Sequence, residues 1–254
     1  PNCLGFVNYL DGLAATFSVF AREDDPPAPR VAFISQSGCT PTIVRYSLAR
    51  NRVGLSFQIS TGNEAVLGVE DFLDLLIDDE RTQVVAVFCE QLRKPQAFLR
   101  SARRAKRRGT RLVMLQPGAS AAARASALSH TGAMVGDHRL IRTLCESAGV
   151  LVVYTVEELI DVSHLLVRFP HVPVHGPALI TDSGAFKGVE LDECDRLGLP
   201  VPELDAATVS ALREVVPPFV PVENPLDVTA HALVDTELYA KTIAVLARDT
   251  ATGA

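Results

Sequence analysis

The chain has 254 residues, of which 48% are hydrophobic and 21% charged, with a formal net charge of −6. This length and hydrophobic share are enough for a packed core in more than one domain. The acidic balance argues against nucleic acid as the main partner. Apolar runs such as 84–89 are strand-sized, so no membrane span is predicted.

Five cysteines are scattered along the chain and never form a Cys-x-x-Cys pair. This pattern disfavours a disulfide framework or a zinc site and favours a reducing compartment, so a cytoplasmic location is expected. No signal peptide is predicted. The chain starts without Met, and its last four residues resemble the lead-in to a further strand. We therefore expect a piece of a longer protein.

Residues 1–24 contain a short apolar strand pattern and are assigned to an upstream domain, and 24–29 forms a stiff, proline-rich linker. From Val31 to Phe169 short apolar runs alternate with amphipathic segments. The basic run 100–111, with seven Lys and Arg residues, is interpreted as a solvated helix face. The predicted strands are 31–35, 53–60, 84–89, 111–115 and 150–154.

Five such strands predict an α/β domain over 31–169, a flavodoxin-like doubly wound parallel sheet with strand order 2-1-3-4-5. Residues 170–177 form a second proline-rich linker, and its two histidines lack acidic partners, so no metal site is predicted. Beyond it, the run into Ser183-Gly184 echoes the run into Ser37-Gly38. This weak repeat predicts a second, incomplete flavodoxin-like domain over 178–254, with two strands and three helices.

Ligands of open parallel sheets bind outside the carboxyl ends of the strands. Four polar segments fall on this edge, one after each of the first four strands: Ser37-Gly38, Gly62-Asn63, Glu90 and His130. The Ser-Gly pair at a helix start offers backbone N–H groups to an anion, although a plain N-cap explains it equally. Asn63 beside Gly62 also fits ordinary turn chemistry.

His130 lies in a loop of small residues, 126–136, which leaves room around its ring for a bulky charged group. Glu90 ends an apolar strand, where a carboxylate is costly unless paired. A histidine N–H would pair it, fix the ring tautomer and leave the other ring nitrogen as a nucleophile. The alternatives are a loop histidine without a task and a surface-facing strand end.

A nucleophilic histidine, a carboxylate and a helix N-terminus together describe a phosphohistidine site. Ser183-Gly184 would bring a second helix N-terminus to the same phosphate, although the neighbouring Asp182 adds negative charge.

Six stretches resemble the NDP-forming acyl-CoA synthetases, a family that includes ADP-forming acetyl-CoA synthetase and the α-subunit of succinyl-CoA synthetase. They follow the family's order and span nearly the whole chain. The matching stretches are Pro1–Gly5, Ile34–Gly38, Gly62–Ala65, Ser129–Ala133, Asp182–Gly184 and Asn224–Asp227.

The resemblance implies an acid–CoA ligase in which a phosphoryl group passes between an acyl phosphate and a nucleotide through a phosphohistidine. The implied cofactors are CoA, ATP or ADP, and Mg²⁺. The implied partners are a small acid, phosphate, CoA-binding and ATP-grasp domains that this sequence lacks, and further copies in a homo-oligomer. This fragment alone is expected to be inactive. The implied site residues are His130 and Glu90 for catalysis, Ser37, Gly38, Ser183 and Gly184 for phosphate, and Asn2, Cys3, Gly62 and Asn63 for substrate or CoA.

The sequence departs from the family pattern at two places. Gln116-Pro117-Gly118 stands where the family often has Lys-x-Gly, and Asp182 stands where Asn is usual. The first change removes a positive charge and the second adds a negative one.

Two other functions are open to this sequence. The first is the acyl-CoA-sensing region of a protein acetyltransferase, which needs neither His130 nor Glu90. The second is a flavin-binding domain, which the absence of Trp and the few aromatic residues disfavour.

Overall fold

The computed structural model describes residues 3–17, 28–123, 137–169 and 173–253. The chain divides into two compact units, Pro1–Pro170 and His171–Ala254. Within the described residues, no helix is both long and apolar enough to cross a lipid bilayer.

The first unit is built on a seven-stranded sheet with the order β2-β1-β4-β3-β5-β6-β7. Its five strands from β3 to β7 run parallel to one another. Counted from β3, their order is second, first, third, fourth, fifth, so the predicted flavodoxin-like topology is confirmed. The strands are β1 (Gly5–Asn8), β2 (Leu13–Thr16), β3 (Pro29–Ser35), β4 (Gly54–Ser60), β5 (Val84–Phe88), β6 (Arg111–Leu115) and β7 (Val150–Val153).

Helices cover both faces of this sheet, as the continuous apolar strands predict. Ala32 of β3 belongs to one buried cluster with residues of α2, α3 and α4, whereas Val31 belongs to a second cluster with residues of α1 and α5. Successive residues of a strand point to opposite faces, so each face buries its own set. The helices are α1 (Thr40–Arg50), α2 (Val69–Ile77), α3 (Pro95–Arg108), α4 (His138–Ser147) and α5 (Val156–Arg168).

A β-hairpin extends the sheet beyond β4. The strands β1 and β2 pair antiparallel, and β1 pairs antiparallel with β4, with Phe6 opposite Ile59. The sequence assigns residues 1–24 to an upstream domain; in the structure their hairpin instead completes this sheet. The pairing covers the backbone groups that β4 would otherwise leave exposed at an edge. Of the first predicted linker, residues 24–27 lie outside the described residues, and Pro29 begins β3.

The second unit contains a two-stranded parallel sheet and three α-helices within the described residues, in agreement with the sequence prediction. Its buried core includes Leu212, Leu226 and Leu238. Residues 170–172 of the second predicted linker lie outside the described part of the chain. The elements are β8 (Ile180–Thr181), α6 (Gly184–Leu197), α7 (Ala206–Arg213), β9 (Leu226–Asp227), a 3₁₀ helix (Ala230–Leu233) and α8 (Leu238–Leu246).

Asn224, from the Asn-Pro-Leu-Asp stretch, joins its own segment to two others of the second unit by side-chain hydrogen bonds. Its Nδ2 donates to the carbonyl oxygens of Pro177 and Pro202, both at 2.9 Å, and its Oδ1 accepts from the Leu179 N–H at 2.9 Å. These bonds satisfy backbone groups at the entrance to β8, so this motif residue has a structural role here.

Candidate functional site

The carboxyl ends of β3 and β5 lie side by side. Ser35 is in register with Phe88, and the Gln36 N–H donates to the Phe88 carbonyl oxygen at 3.1 Å. The segments that follow these strands carry Ser37-Gly38 and Glu90. The structure therefore brings these two predicted elements together at the switch point of the sheet, where ligands of such folds bind.

The side chain of Gln36 connects these two segments. Its Oε1 accepts from the backbone N–H groups of Glu90 at 2.7 Å and Gln91 at 3.0 Å, and its Nε2 donates to the Gln91 carbonyl oxygen at 2.7 Å. Sequence reasoning missed this residue, although it lies inside the matching Ser-Gln-Ser-Gly stretch. No local pattern shows that its amide reaches a partner 54 positions away.

Ser37 and Gly38 form the turn that leads into α1. The Ser35 hydroxyl accepts from the Ser37 N–H at 3.0 Å and donates to the Ser37 carbonyl at 2.8 Å. The helix begins at Thr40 after Cys39, later than predicted, because Ser37 and Gly38 belong to this turn. Within the described residues the Gly38 N–H has no partner and no side chain caps α1. This N-terminus can therefore receive an anion.

Glu90 follows the end of β5 and is half-buried. Its backbone N–H is bound by Gln36, and no described residue pairs with its carboxylate. A half-buried carboxylate gains from a hydrogen-bond donor. Glu90 is thus placed to accept an N–H from a group brought to this edge.

His130 lies outside the described residues, but the described segments on either side of its loop meet. Gln116 follows β6, and its carbonyl oxygen is 3.1 Å from Nε2 of His138, the first residue of α4. The described residues Gln116 and His138, which precede and follow His130 in the chain, therefore meet at the carboxyl end of β6, beside β5. The side-chain amide of Gln116 is buried and has no partner among the described residues.

The predicted substrate-binding residues gather next to the carboxyl end of β4. The Leu4 N–H donates to Ser60 Oγ at 3.1 Å, which places the neighbouring Cys3 at this edge. Gly62 has a φ of 57°, a conformation that favours glycine, and Asn63 is exposed. Asn2 lies outside the described residues.

Glu64 is a second residue that sequence reasoning missed. It is only 8% exposed, and its Oε1 accepts from the Thr61 hydroxyl and the Val69 N–H, both at 3.0 Å. Burial raises the pKa of the Glu64 carboxyl, the nearby Gln36 amide and the hydrogen bonds from Val69 and Thr61 oppose the rise, and the Glu70 charge adds to it.

The second unit repeats the turn of the first. The Ser183 N–H donates to Thr181 Oγ1 at 3.2 Å, and this hydroxyl donates to the Ser183 carbonyl at 3.4 Å, the same pair of bonds that joins Ser35 and Ser37. Ser183 is the residue before α6, which begins at Gly184. The predicted internal repeat therefore extends to individual hydrogen bonds.

The charges around this second turn are acidic. A Cβ at Gly184 would lie 3.3 Å from Asp227 Oδ2. Burial, followed by the charges of Asp182, Asp227 and Glu190, raises the pKa of Tyr239. Phosphate binding at Ser183 and Gly184 stays a prediction, and it would require cations from elsewhere. Within the described residues, no group of three or more His, Cys, Asp or Glu residues could hold a metal ion.

Comparison with known proteins identifies similar chains. Residues 28–166 match the model of the succinyl-CoA ligase like flavodoxin domain. Trans-feruloyl-CoA synthase FCS1 of an unknown prokaryotic organism is 41% identical over 98% of this chain, which spans 35% of that protein. The ADP-forming acetate–CoA ligase I of Archaeoglobus fulgidus is 33% identical over 98% of this chain, again 35% of its own length.

Solved structures agree with this comparison. A crystal structure of a Pyrococcus horikoshii OT3 protein shares 27% identity with a TM-score of 0.76, and this chain covers 52% of it. The dinucleotide-forming acetyl-CoA synthetase 1 of Candidatus Korarchaeum cryptofilum, in complex with phosphate and ADP, has a TM-score of 0.85 at 24% identity over 53% of its chain, which supports the fold alone. The chain thus spans about a third of the first curated relatives and about half of these structures.

Proposed function

This chain belongs to the family of succinyl-CoA-ligase-like flavodoxin domains, and on that premise we propose that it is the phosphoryl-transfer core of an NDP-forming acid–CoA ligase. The observation that carries the proposal is the position of Glu90. Glu90 follows β5, its backbone N–H is bound by Gln36, the residue before the Ser37-Gly38 turn, and no described residue pairs with its carboxylate.

The proposed reaction has three steps. Phosphate attacks the thioester carbonyl of an acyl-CoA, the C–S bond breaks, and acyl phosphate and CoA form. A ring nitrogen of His130 then attacks phosphorus, and the P–O bond to the acyl group breaks to release the carboxylate. In the last step an oxygen of a nucleoside diphosphate attacks phosphorus and the P–N bond breaks. The reverse sequence activates the acid.

The candidate residues of this chain have different roles in the proposed reaction. Glu90 accepts the N–H of the second ring nitrogen of His130, which keeps the attacking nitrogen unprotonated. The Gly38 N–H and the N-terminus of α1 bind phosphoryl oxygens, because the helix dipole and unpaired N–H groups favour an anion. Cys3, Gly62 and Asn63 flank this edge, where the substrate or CoA binds; Asn2 has the same proposed role.

The reaction also requires groups from outside this chain. CoA and ADP or ATP are substrates, and we place them mainly on the CoA-binding and nucleotide-binding domains of a larger ligase. We place Mg²⁺ mainly on the nucleotide-binding domain as well, and the described residues contain no group of three or more His, Cys, Asp or Glu residues that could hold it. Relatives named as ADP-forming ligases support the ligase class. The homo-oligomer and the cytoplasmic location stay predictions.

The test is phosphoenzyme formation by the complete ligase with γ-labelled ATP and Mg²⁺. We expect acid-labile, base-stable label that is abolished by His130→Ala and retained in His231→Ala, a substitution at an exposed histidine of the second unit. Glu90→Gln should slow labelling by about 10²-fold. Label that persists in His130→Ala would contradict the proposal. Ligand-dependent oligomerisation without any phosphoenzyme would favour the acyl-CoA-sensing function.

A further inference from the structure

We propose that Gln36 is the positioning residue that fixes Glu90 in the phosphoryl-transfer site. This inference rests on the proposed function, because it assigns a role within the same site. Gln36 itself does not touch the reacting atoms in this proposal. It acts on the backbone from which the Glu90 carboxylate projects.

The Gln36 amide completes the backbone hydrogen bonding where β5 ends. The pairing of β5 with β3 and β6 ends at Phe88, and the N–H groups of Glu90 and Gln91 lie beyond it. Gln36 Oε1 binds both, and its Nε2 holds the Gln91 carbonyl. Three hydrogen bonds from one side chain therefore define the path of the chain at Glu90. Without them, these backbone groups would turn to water or to other partners, and the carboxylate would move with them.

The same three hydrogen bonds also fix the orientation of the Gln36 amide. The oxygen and nitrogen of a glutamine amide can exchange places by rotation, and only the hydrogen-bond partners select one orientation. The two backbone N–H groups require the oxygen to face them, and the Gln91 carbonyl requires the NH₂ end.

The experiment measures the rate of His130 phosphorylation by rapid quench in the complete ligase, with labelled ATP and Mg²⁺. We expect Gln36→Ala to lower the rate at saturating ATP by about 10–100-fold, because small misplacements of a catalytic group cost that much. The KM for ATP should stay within about twofold of the parent value, since no nucleotide contact is changed.

Gln58→Ala is the matched control. Gln58 of β4 is buried, whereas Gln36 is half-buried, and its side chain accepts a hydrogen bond from the Tyr9 hydroxyl at 3.1 Å, but it lies outside the site. It should lower thermal stability as Gln36→Ala does, without the loss of rate. Equal rates in the two variants would show that Gln36 is merely structural.

A second variant decides if Gln36→Ala does not fold. Gln36→Glu keeps an oxygen for the N–H groups of Glu90 and Gln91 but places a second oxygen against the Gln91 carbonyl. We expect it to slow phosphorylation by about tenfold. A Gln36→Glu variant that is phosphorylated at the parent rate overturns the inference.

The outcomes separate the two proposals. When His130→Ala loses the label but Gln36→Ala labels as fast as Gln58→Ala, the positioning role fails and the proposed function stands. When the parent ligase forms no phosphohistidine at all, both fail.

Discussion

Burial removes water from a carboxyl group and disfavours its charged form unless hydrogen bonds replace the lost hydration. Glu64 is such a buried carboxyl group. Two hydrogen bonds to its Oε1 and the nearby Gln36 amide favour the charged form, whereas burial and the nearby Glu70 favour the neutral form. The net result is a raised pKa. Glu64 lies a few residues after the carboxyl end of β4, beside the candidate site.

The raised pKa of Glu64 predicts a pH-dependent stability. Below its usual pKa of 4.5, folded and unfolded chains both hold the proton. As the pH rises, the unfolded chain releases the proton first, so the free energy of unfolding falls until the folded pKa has been passed. Glu64→Gln removes this equilibrium and keeps an acceptor oxygen. We expect the variant to become progressively more stable relative to the parent as the pH rises above the usual pKa of 4.5, until the raised pKa of the folded chain has been passed.

Urea denaturation at several pH values measures this difference. Glu80→Gln is the control, because Glu80 is exposed and the same change there should leave the pH dependence of the parent unaltered. A stability difference between Glu64→Gln and the parent that stays constant over the whole pH range would contradict the prediction.

At the scale of elements, the acidic helix α2 packs against the basic helix α3. Lys94 next to α3 binds Asp71, and Arg104 binds Asp74 and Asp78 across a groove of about 490 Å³. The basic run 100–111 therefore lies on an exposed helix face, and acidic side chains of α2 neutralise part of its positive charge. Exposed ion pairs contribute about 0–1 kcal/mol each. The packing of the two helices thus depends mainly on their buried apolar residues.

Two leucines of α2 allow a direct test. Leu73 is fully buried and Leu75 is 59% exposed on the same helix. Leu73→Ala should lower the free energy of unfolding by about 2–5 kcal/mol, because it removes buried methyl groups and leaves a cavity. Leu75→Ala should change it by less than about 0.5 kcal/mol. Chemical denaturation gives both values, and similar losses for the two variants would show that the α2 face is wrongly assigned.

At the scale of the whole molecule, two compact units each have a core of their own. Among the described residues, two buried apolar clusters fall in the first unit and one in the second. The repeated turn at Ser37 and Ser183 indicates that both units use the same strand-to-helix connection. Their charges differ, since carboxylates surround the second turn. The first unit is accordingly the better place for a phosphoryl group.

Separate cores predict local effects of core mutations. Leu212→Ala, at a fully buried residue of the second unit, should destabilise α7 and α8 by about 2–5 kcal/mol. Hydrogen exchange should show faster amide exchange there and unchanged exchange in β5 and α2. Leu197→Ala, at a residue that is 53% exposed, serves as the control. An equal loss of protection in β5 would contradict the separation of the two cores.

The sequence by itself determined the alternation of strands and helices, the strand order and the sheet edge to which the candidate site residues Ser37, Gly62 and Glu90 belong. Continuous apolar runs such as Val84–Phe88 specify strands buried on both faces, and parallel strands place all their carboxyl ends at one edge. The residue pattern alone therefore assigns Glu90 and Ser37 to one place. These features follow from local periodicity and from rules of chain connection.

Only the tertiary structure decided which groups touch at that edge. The reach of Gln36 to Glu90, the burial of Glu64 and the docking of the β1–β2 hairpin on β4 all join segments distant in the chain. None of these has a period or a local motif, because each depends on strand register and on the path of turns after the strands. Packing between distant segments decides which residues a side chain contacts. No short stretch of sequence specifies that packing.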